Sequence, residues 1–247
     1  MNYDTIKIYK NIIFFGFWLR IMKYNNITKA HFLSRTNRFI AVCEVDGEED
    51  VCHVKNTGRL KELLIKGAVV YLEESSNPER KTKYDLVAVE KDGQLFNIDS
   101  YAPNIAAGEF LKTKFPEFSV RAEVKKGNSR FDFYMENESR KIFVEVKGVT
   151  LIKDGLALFP DAPTTRGVKH ITELAECVKE GYEAYILFVI QTENVLSFSP
   201  NDETHKEFGD ALRAAESSGV KIVAVNCIVS ADEMTIEKQI PTELRRK

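Results

Sequence analysis

Cysteine, net charge and glycine-rich phosphate loops are scarce in this sequence, and each scarcity narrows the possible functions. The four cysteines, Cys43, Cys52, Cys177 and Cys227, include no C-x-x-C pair of the kind that binds zinc. We therefore interpret them as reduced thiols of a cytoplasmic protein, mostly in the core. The formal net charge is −2, so a nucleic-acid partner would need a local basic patch. No glycine-rich loop or sugar-site pattern favours a sugar-linked enzyme.

A membrane-spanning run is also missing. The apolar stretch from Ile12 to Ile21 is interrupted by Arg20 and is far too short to cross a bilayer. Lysines precede it, as in a signal peptide, but no small-residue cleavage site follows. The stretch fits a core strand, an interfacial anchor, or a translated leader upstream of a true start at Met22. We favour the leader, and predict residues 1–21 to be an extension outside the fold, with no membrane partner.

Residues 22–100 have the pattern of a small β-barrel. Hydrophobic residues make up 44% of the chain and charged residues 29%, which is ordinary for a globular protein of one large or two smaller domains. The predicted strands span 26–33, 38–45, 49–54, 68–73 and 84–91, and a short helix spans 59–64. Five short strands with one short helix predict a barrel of the oligonucleotide-binding (OB) type.

A basic loop precedes the last predicted strand of this barrel. It carries Arg80, Lys81 and Lys83 next to Tyr84. Cations beside an aromatic ring are suited to a nucleic-acid backbone, so these three cations are candidate nucleic-acid-binding residues. The alternative is a solvated loop, because most runs of charge are merely solvated.

Residues 101–247 have the pattern of a second domain, in the order α-β-β-β-α-β-α-β. We predict a mixed sheet with helices on its faces. The predicted helices span 104–115, with Asn104 as a possible cap and Ile105 on the apolar side, then from Thr164 or Thr165 to about Gly181, and 205–217. The predicted strands span 119–124, 130–135, 141–147, 182–191 and 220–229.

Two strands of this domain form a predicted hairpin. Ile142, Val144 and Val146 alternate with Phe143, Glu145 and Lys147, as in a half-buried strand, and Phe131, Phe133 and Met135 alternate with Arg130, Asp132 and Tyr134. A four-residue loop over 137–140 pairs Tyr134 with Phe143 and sets Asp132 opposite Glu145. Two opposed carboxylates repel unless a cation lies between them, and Mg²⁺ or Mn²⁺ takes such oxygen ligands. Lys147 is within reach of the same point.

The set Asp132, Glu145-x-Lys147 on a hairpin resembles the PD-(D/E)xK nuclease superfamily. The alternative is a solvated strand face with a surface ion pair. A nuclease would hold Mg²⁺ or Mn²⁺ with Asp132 and Glu145, helped by the Val146 carbonyl, while Lys147 orients the attacking water and offsets phosphate charge. Glu109 resembles the extra acidic residue that some superfamily members bring to the metal. Its alternative interpretation is a surface helix glutamate.

A further resemblance covers roughly residues 23–240. The segments that carry it are HVKNTGRLKELL (53–64), SRFDF (129–133), EVKGVTL (145–151), LFPDAPTTRGVKHITEL (158–174) and FSPND (198–202). In this order they are similar to the sugar fermentation stimulation protein A (SfsA) family. The resemblance implies an N-terminal OB-like domain and a C-terminal PD-(D/E)xK-like domain. It also implies binding of DNA or RNA, with metal-dependent nuclease activity as a less secure expectation.

The helix after the distinctive FPDAPTTRG segment adds candidate phosphate contacts. Its predicted buried stripe consists of Val168, Ile171, Leu174, Ala175 and Val178. Arg166, Lys169 and His170 are predicted to lie away from that stripe at the start of the helix, where N–H groups also favour phosphate. Asp161 is interpreted as a cap or a further metal ligand.

Two functions therefore stay open. The first is a nucleic-acid-binding, metal-dependent nuclease acting on DNA or RNA. The second is a catalytically idle DNA-binding or regulatory protein linked to sugar metabolism. The complete set of Asp132, Glu145 and Lys147 favours the nuclease.

Overall fold

A computed structural model of the chain describes residues 22–245. The sequence prediction about residues 1–21 lies outside these described residues. All four cysteines are free and buried, as the sequence predicts. No helix in the described range is long and apolar enough to cross a membrane.

The first half of the structure is a closed β-barrel, which confirms the predicted OB fold. Its strands are β1 (Ile27–Arg35), β2 (Ile40–Val45), β3 (Glu48–Val54), β4 (Val69–Glu74), β5 (Tyr84–Lys91) and β6 (Gln94–Asn97). They follow the order β3-β2-β1-β4-β5-β6, and a parallel pairing of β3 with β5 closes the barrel. Alternate strand residues, including Ala41, Cys52 and Leu86, fill its interior.

Two details of the barrel differ from the prediction. The segment 59–64 is a turn and not a helix, because Leu60 has a left-handed φ of 50° that a helix does not allow. Leu60, Leu63 and Leu64 are nevertheless buried and join the barrel core. The short strand β6 was not predicted.

The second half is a six-stranded mixed sheet with helices on both faces, as predicted. Its elements are α1 (Ala102–Lys114), β7 (Ser119–Lys126), β8 (Ser129–Glu136), β9 (Lys141–Val149), β10 (Ile152–Lys153), β11 (Leu156–Phe159), α2 (Thr165–Lys179), β12 (Glu183–Ile190), β13 (Ser197–Pro200), α3 (Asp202–Ser217), β14 (Lys221–Val229) and β15 (Met234–Ile240). The order in the large sheet is β15-β14-β12-β9-β8-β7, with β9, β12 and β14 parallel. Strands β10, β11 and β13 form a separate small sheet.

Strand β9 lies in the middle of the large sheet and is buried on both faces. Phe143 packs in one core layer with residues of α2 and α3. Ile142, Val144 and Val146 pack in the other layer with residues of α1. The prediction of a half-buried strand is therefore wrong, because Glu145 on its polar side is buried against His170 of α2.

The barrel is fixed against the large sheet by polar contacts at the end of β12. The Gln191 side-chain amide donates to the carbonyls of Asn97 and Asp99 and to the Asn97 side chain, at 3.0–3.1 Å. Lys55 of the barrel forms a salt bridge of 2.9 Å with Asp99, just before α1. These contacts place the barrel next to the ends of β9 and β12.

Candidate functional site

The site begins at the hairpin of β8 and β9, whose register matches the prediction. Tyr134 pairs with Phe143 and Glu136 pairs with Lys141. Backbone pairing extends as far as Phe133 opposite Val144. Beyond that pair, β9 is hydrogen-bonded by a side chain of β8 instead of by its backbone.

Asp132 supplies that side chain. Its Oδ2 accepts the backbone N–H of Val146 at 2.7 Å, and its Oδ1 accepts the side-chain amide of Asn104 on α1, also at 2.7 Å. Asn104 is therefore not a helix cap, because α1 begins earlier, at Ala102. No local sequence pattern predicts this role of Asn104. The two donors fix the Asp132 carboxylate beside β9.

The alternation predicted for β8 fails at Asp132. Phe133 and Met135 belong to the core layer of α1, as predicted, but Phe131 packs on the opposite layer. Its ring centroid lies 5.2 Å from that of Phe143. Residue Glu123, on the neighbouring strand β7, has a left-handed φ of 55°, and the β7–β8 pairs skip it.

Glu145 lies at the centre of the site and is only 3% exposed. Its Oε1 accepts hydrogen bonds from Lys147 Nζ at 2.6 Å and from His170 Nδ1. Its Oε2 is buried and has no hydrogen-bond partner among the described residues. An unpartnered carboxylate oxygen in the interior is unfavourable, so this atom is available to a ligand.

His170 connects Glu145 to the surface. Its Nε2 lies 3.4 Å from the Arg166 side-chain Nε–H, so Nε2 is the acceptor and Nδ1 carries the proton given to Glu145. The prediction that His170 lies away from the buried stripe is wrong, since it is buried with Ile171 and Leu174. Arg166 is exposed, as predicted.

The two carboxyl groups have pKa values shifted in opposite directions. Burial, followed by the charge of Glu145, raises the pKa of Asp132 above its ordinary value. Burial also acts to raise the pKa of Glu145, but the hydrogen bond from His170 and the charge of Lys147 outweigh it and lower that pKa. The site therefore holds one firmly ionised carboxylate and one neighbour that is costly to ionise. A cation binding between them would relieve that cost.

Comparison with known families agrees with this fold. The family model described as "SfsA N-terminal OB domain" matches residues 33–98, and the model described as "Sugar fermentation stimulation protein RE domain" matches residues 101–233. The chain belongs to the SfsA family.

Relatives in the SfsA family match nearly their whole length. The "Sugar fermentation stimulation protein homolog" of Clostridium beijerinckii is 53% identical over 225 residues, covering 89% of this chain and 98% of that protein. The homolog of Desulfitobacterium hafniense (strain DSM 10664 / DCB-2) is 55% identical over 215 residues, covering 86% of this chain and 94% of that protein. A structure described as Pyrococcus furiosus SfsA in complex with Ca²⁺ has a TM-score of 0.82 and 28% identity, covering 90% and 98% of the two chains.

Other residues predicted for the SfsA-family site have structural contacts instead. Glu109 accepts the backbone N–H of Met22 at 3.1 Å, and it lies five residues along α1 from Asn104, more than a third of a turn away around the helix. Lys169 donates to the carbonyl of Asn128 at 3.2 Å and lies 3.8 Å from Glu173. These hydrogen bonds join Glu109 and Lys169 to Met22 and Asn128, not to the carboxylate pair.

Asp161 also differs from its predicted roles. Its Oδ2 accepts the backbone N–H of Arg59 in the barrel at 3.2 Å. Thr164 caps α2 instead, accepting the N–H of Gly167 at 3.0 Å, as one of the two predicted alternatives. Asp161 thus connects the barrel to the sheet.

The basic loop of the barrel has one cation paired with a buried carboxylate and two exposed cations. Arg80 donates to both oxygens of Asp85, at 2.9 and 2.6 Å. Lys83 lies 3.5 Å from Glu74 and over the ring of Tyr84 at 4.7 Å, while Lys81 is exposed. The structure does not bring this loop into contact with the carboxylate pair.

Proposed function

We propose that this chain binds nucleic acid and hydrolyses its phosphodiester bonds in a Mg²⁺- or Mn²⁺-dependent reaction. The observation that carries the proposal is the buried, unpartnered Oε2 of Glu145 beside the Asp132 carboxylate. Family membership supports the coarser statement, that this is a nucleic-acid-binding protein of the SfsA family. Hydrolysis is the further step that the site chemistry supports.

The donor set fits a hard divalent cation. Within residues 22–245, no group of three or more His, Cys, Asp or Glu side chains is arranged to hold a metal. The proposed ligands are Asp132, Glu145 and the carbonyl of Val146, and water or phosphate oxygen would supply the rest. The Pyrococcus furiosus SfsA structure is a complex with Ca²⁺, which supports an oxygen-ligand site in this family. When bound, the cation would polarise the phosphate and lower the pKa of water.

Lys147 and His170 organise the anion that receives the cation. Both donate to the same oxygen of Glu145, which holds that carboxylate ionised and directs Oε2 away from them. Lys147 is partly exposed, so its ammonium also reaches a water or phosphate oxygen at the mouth of the site. A fixed positive charge there stabilises the charge that develops on the phosphate during attack.

Arg166 extends the positive charge to the surface. Its guanidinium has five N–H donors, and only one of them is directed at His170. The exposed remainder suits the non-bridging oxygens of a phosphate. We assign Arg166 to binding of the backbone, and His170 to positioning Glu145.

The test uses labelled single- and double-stranded DNA and RNA with purified protein in Mg²⁺, Mn²⁺ or EDTA. We expect cleavage in either metal, none in EDTA, and loss of cleavage in Glu145→Gln. Glu136→Gln is the matched control, since Glu136 lies on the same hairpin but pairs with Arg121 at the surface. Cleavage that persists in Glu145→Gln would remove this site from the mechanism.

The second candidate is a nucleic-acid-binding regulatory protein with an idle site. The observation favouring it is that both oxygens of Asp132 and one oxygen of Glu145 already have donors from the chain itself. Such a protein would bind the same oligonucleotides with no cleavage in either metal.

A further inference from the structure

A polar cleft between barrel and sheet adjoins the carboxylate site. It has a volume of about 350 Å³, and its walls include Arg38, Asn56 and Thr57 of the barrel and Gly148, Thr150 and Thr164 of the other half. Gly148 directly follows Lys147, and Thr164 caps the helix that carries Arg166 and His170. Residues that neighbour Lys147 and the start of α2 in the sequence therefore line the cleft.

The barrel wall of the cleft is rigidly held. The guanidinium of Arg35 donates to the carbonyls of Asn56, Gly58 and Arg59 at 2.8–2.9 Å. The Asn56 amide donates across to the carbonyl of Ile98 at 2.7 Å. Because these bonds fix the loop in an open shape, the cleft is formed before any ligand arrives.

Exposed apolar side chains stand beside the cleft. Tyr101 is 68% exposed and follows Ser100, which lines the cleft. Ile105 is exposed one turn further along α1, and Asn104, which holds Asp132, lies between them. An exposed aromatic ring next to a residue that lines the cleft is suited to stacking on a nucleobase.

Arg38 is a cation in the wall of the cleft. It is exposed, and within the described residues its guanidinium has no hydrogen bond or salt bridge. A cation in the wall of a polar cleft is suited to the phosphate backbone of one nucleic-acid strand.

We propose that the cleft takes an unpaired nucleotide of a single strand next to the scissile phosphate, with the Tyr101 ring stacked on a base and Arg38 on the backbone. The proposal deepens the proposed function and rests on it for the location of the phosphate. The volume is at the low end of the roughly 300–1,000 Å³ of small-ligand pockets, which suits one nucleotide and not a base pair. The substrate class is therefore single-stranded DNA or RNA, or an unpaired end.

The test measures binding without turnover, in Ca²⁺ and in EDTA, using single-stranded DNA, single-stranded RNA and duplex DNA that contain 2-aminopurine. Stacking quenches this base, so its fluorescence reports the contact directly. We expect Tyr101→Ala to weaken single-strand binding about 5- to 100-fold, the loss typical of one base–aromatic stack, and to abolish quenching. Tyr101→Phe should retain both. Leu196→Ala, at a 72% exposed residue outside the cleft, should change neither.

Arg38 is tested by salt dependence. Arg38→Gln should reduce the log–log slope of single-strand affinity against salt by about 0.7, the value for one lost phosphate contact. Lys66→Gln, at an exposed barrel cation outside the cleft lining, should leave the slope unchanged. A difference in affinity between single-stranded DNA and single-stranded RNA would identify which sugar the cleft accepts.

The outcomes distinguish the proposal of a nucleotide-binding cleft from the proposal of nuclease activity. Wild-type protein that binds and quenches single strands, but cleaves none, contradicts hydrolysis and supports the cleft. Single-strand cleavage with normal binding and quenching in Tyr101→Ala contradicts the cleft and supports hydrolysis. Equal losses for duplex and single strand in Tyr101→Ala also contradict it. No binding of any oligonucleotide by the wild type overturns both.

Discussion

Two buried carboxylate clusters, one in the barrel and one in the sheet, differ in how many cationic partners the chain supplies. In the barrel, Asp85 is 6% exposed, yet both its oxygens are bound by Arg80. His53 lies at 2.9 Å and Lys55 at 3.8 Å. Burial acts to raise the pKa of Asp85, but the hydrogen bonds from Arg80 and His53 outweigh it and lower that pKa.

In the sheet, the neighbouring acids Asp132 and Glu145 share fewer cations. Lys147 contacts Glu145 alone, the Asp132 donors are neutral, and one oxygen of Glu145 is unpartnered within the described chain. Asp85 therefore receives all its hydrogen bonds from the chain, as a structural cluster does, whereas one oxygen of Glu145 has no donor among the described residues. This difference is what motivates the proposed cation site at Asp132 and Glu145.

The largest expected effect is on turnover. Lys147→Met keeps the stem but removes the charge, and should reduce single-turnover cleavage by about 10²–10⁴, as for other positioned charge-stabilising groups. Metal binding should survive because both carboxylates remain. Rapid-quench cleavage with binding measured in Ca²⁺ checks this, and wild-type cleavage by the variant would place Lys147 outside the mechanism.

Metal should stabilise the sheet cluster and leave the barrel cluster unaffected. Mg²⁺ or Mn²⁺ at 100 times its Kd should add about 2.7 kcal/mol to the free energy of unfolding by mass action. Asp132→Asn should remove most of this gain. Asp85→Asn should lower the stability of the metal-free protein but keep the same gain from metal. Thermal melts with metal and with EDTA measure both, and an unchanged metal shift in Asp132→Asn would refute the ligand assignment.

Removing a cation from the barrel cluster should destabilise the protein. Arg80→Gln leaves buried Asp85 short of its main partner and should cost about 2 kcal/mol of unfolding free energy. Lys81→Gln, one residue away and exposed, should change it by less than about 0.5 kcal/mol. Urea unfolding compares the pair, and equal stabilities would show that the Arg80 bond contributes nothing.

The contributions of the two clusters to stability should also change with pH in opposite directions. The pKa of Asp85 is lowered in the fold, so its contribution to stability is present above the ordinary value of 3.8 and is lost as pH falls towards the folded pKa. The pKa of Asp132 is raised, so stability falls as pH rises from 3.8 through the folded pKa. In EDTA, the melting temperature of Asp132→Asn relative to wild type should therefore rise as pH increases from acid to neutral. A difference that does not change with pH would contradict the raised pKa.

The smallest effect concerns the exposed cations beside the barrel cluster. If Lys81 and Lys83 bind the nucleic-acid backbone, changing both to Gln should flatten the single-strand salt dependence by about 0.7 slope units per contact. Arg80 is left intact here, because its loss would confuse binding with folding. An unchanged slope identifies a solvated loop.

Much of the fold was predictable because strong local patterns carry it. The period-2 alternation of β9 and the polar loop at 137–140 predicted the hairpin register, which brings Asp132 next to Glu145. The strands β10, β11 and β13 were missed because two to four residues carry no measurable period.

The contacts of the site were less predictable. Asn104 meets Asp132 across 28 residues of chain, and no local pattern encodes that. The sequence predicts Arg80 as a nucleic-acid contact, because a run of charged residues does not show that Arg80 pairs with the buried Asp85. His170 was within reach of sequence reasoning, since it lies three residues after buried Gly167 and four before Leu174 and so shares their helix face.

The position of β9 between β8 and β12 has a consequence for how the site is lost on unfolding. The hydrogen of the Val146 amide is held by the Asp132 carboxylate, within a strand covered on both faces. Its exchange with solvent deuterium therefore reports whether these two residues separate, and a central strand opens only when the domain unfolds. On heating, the folded fraction and the intact site should disappear together, with no folded species in which Asp132 and Val146 are separated.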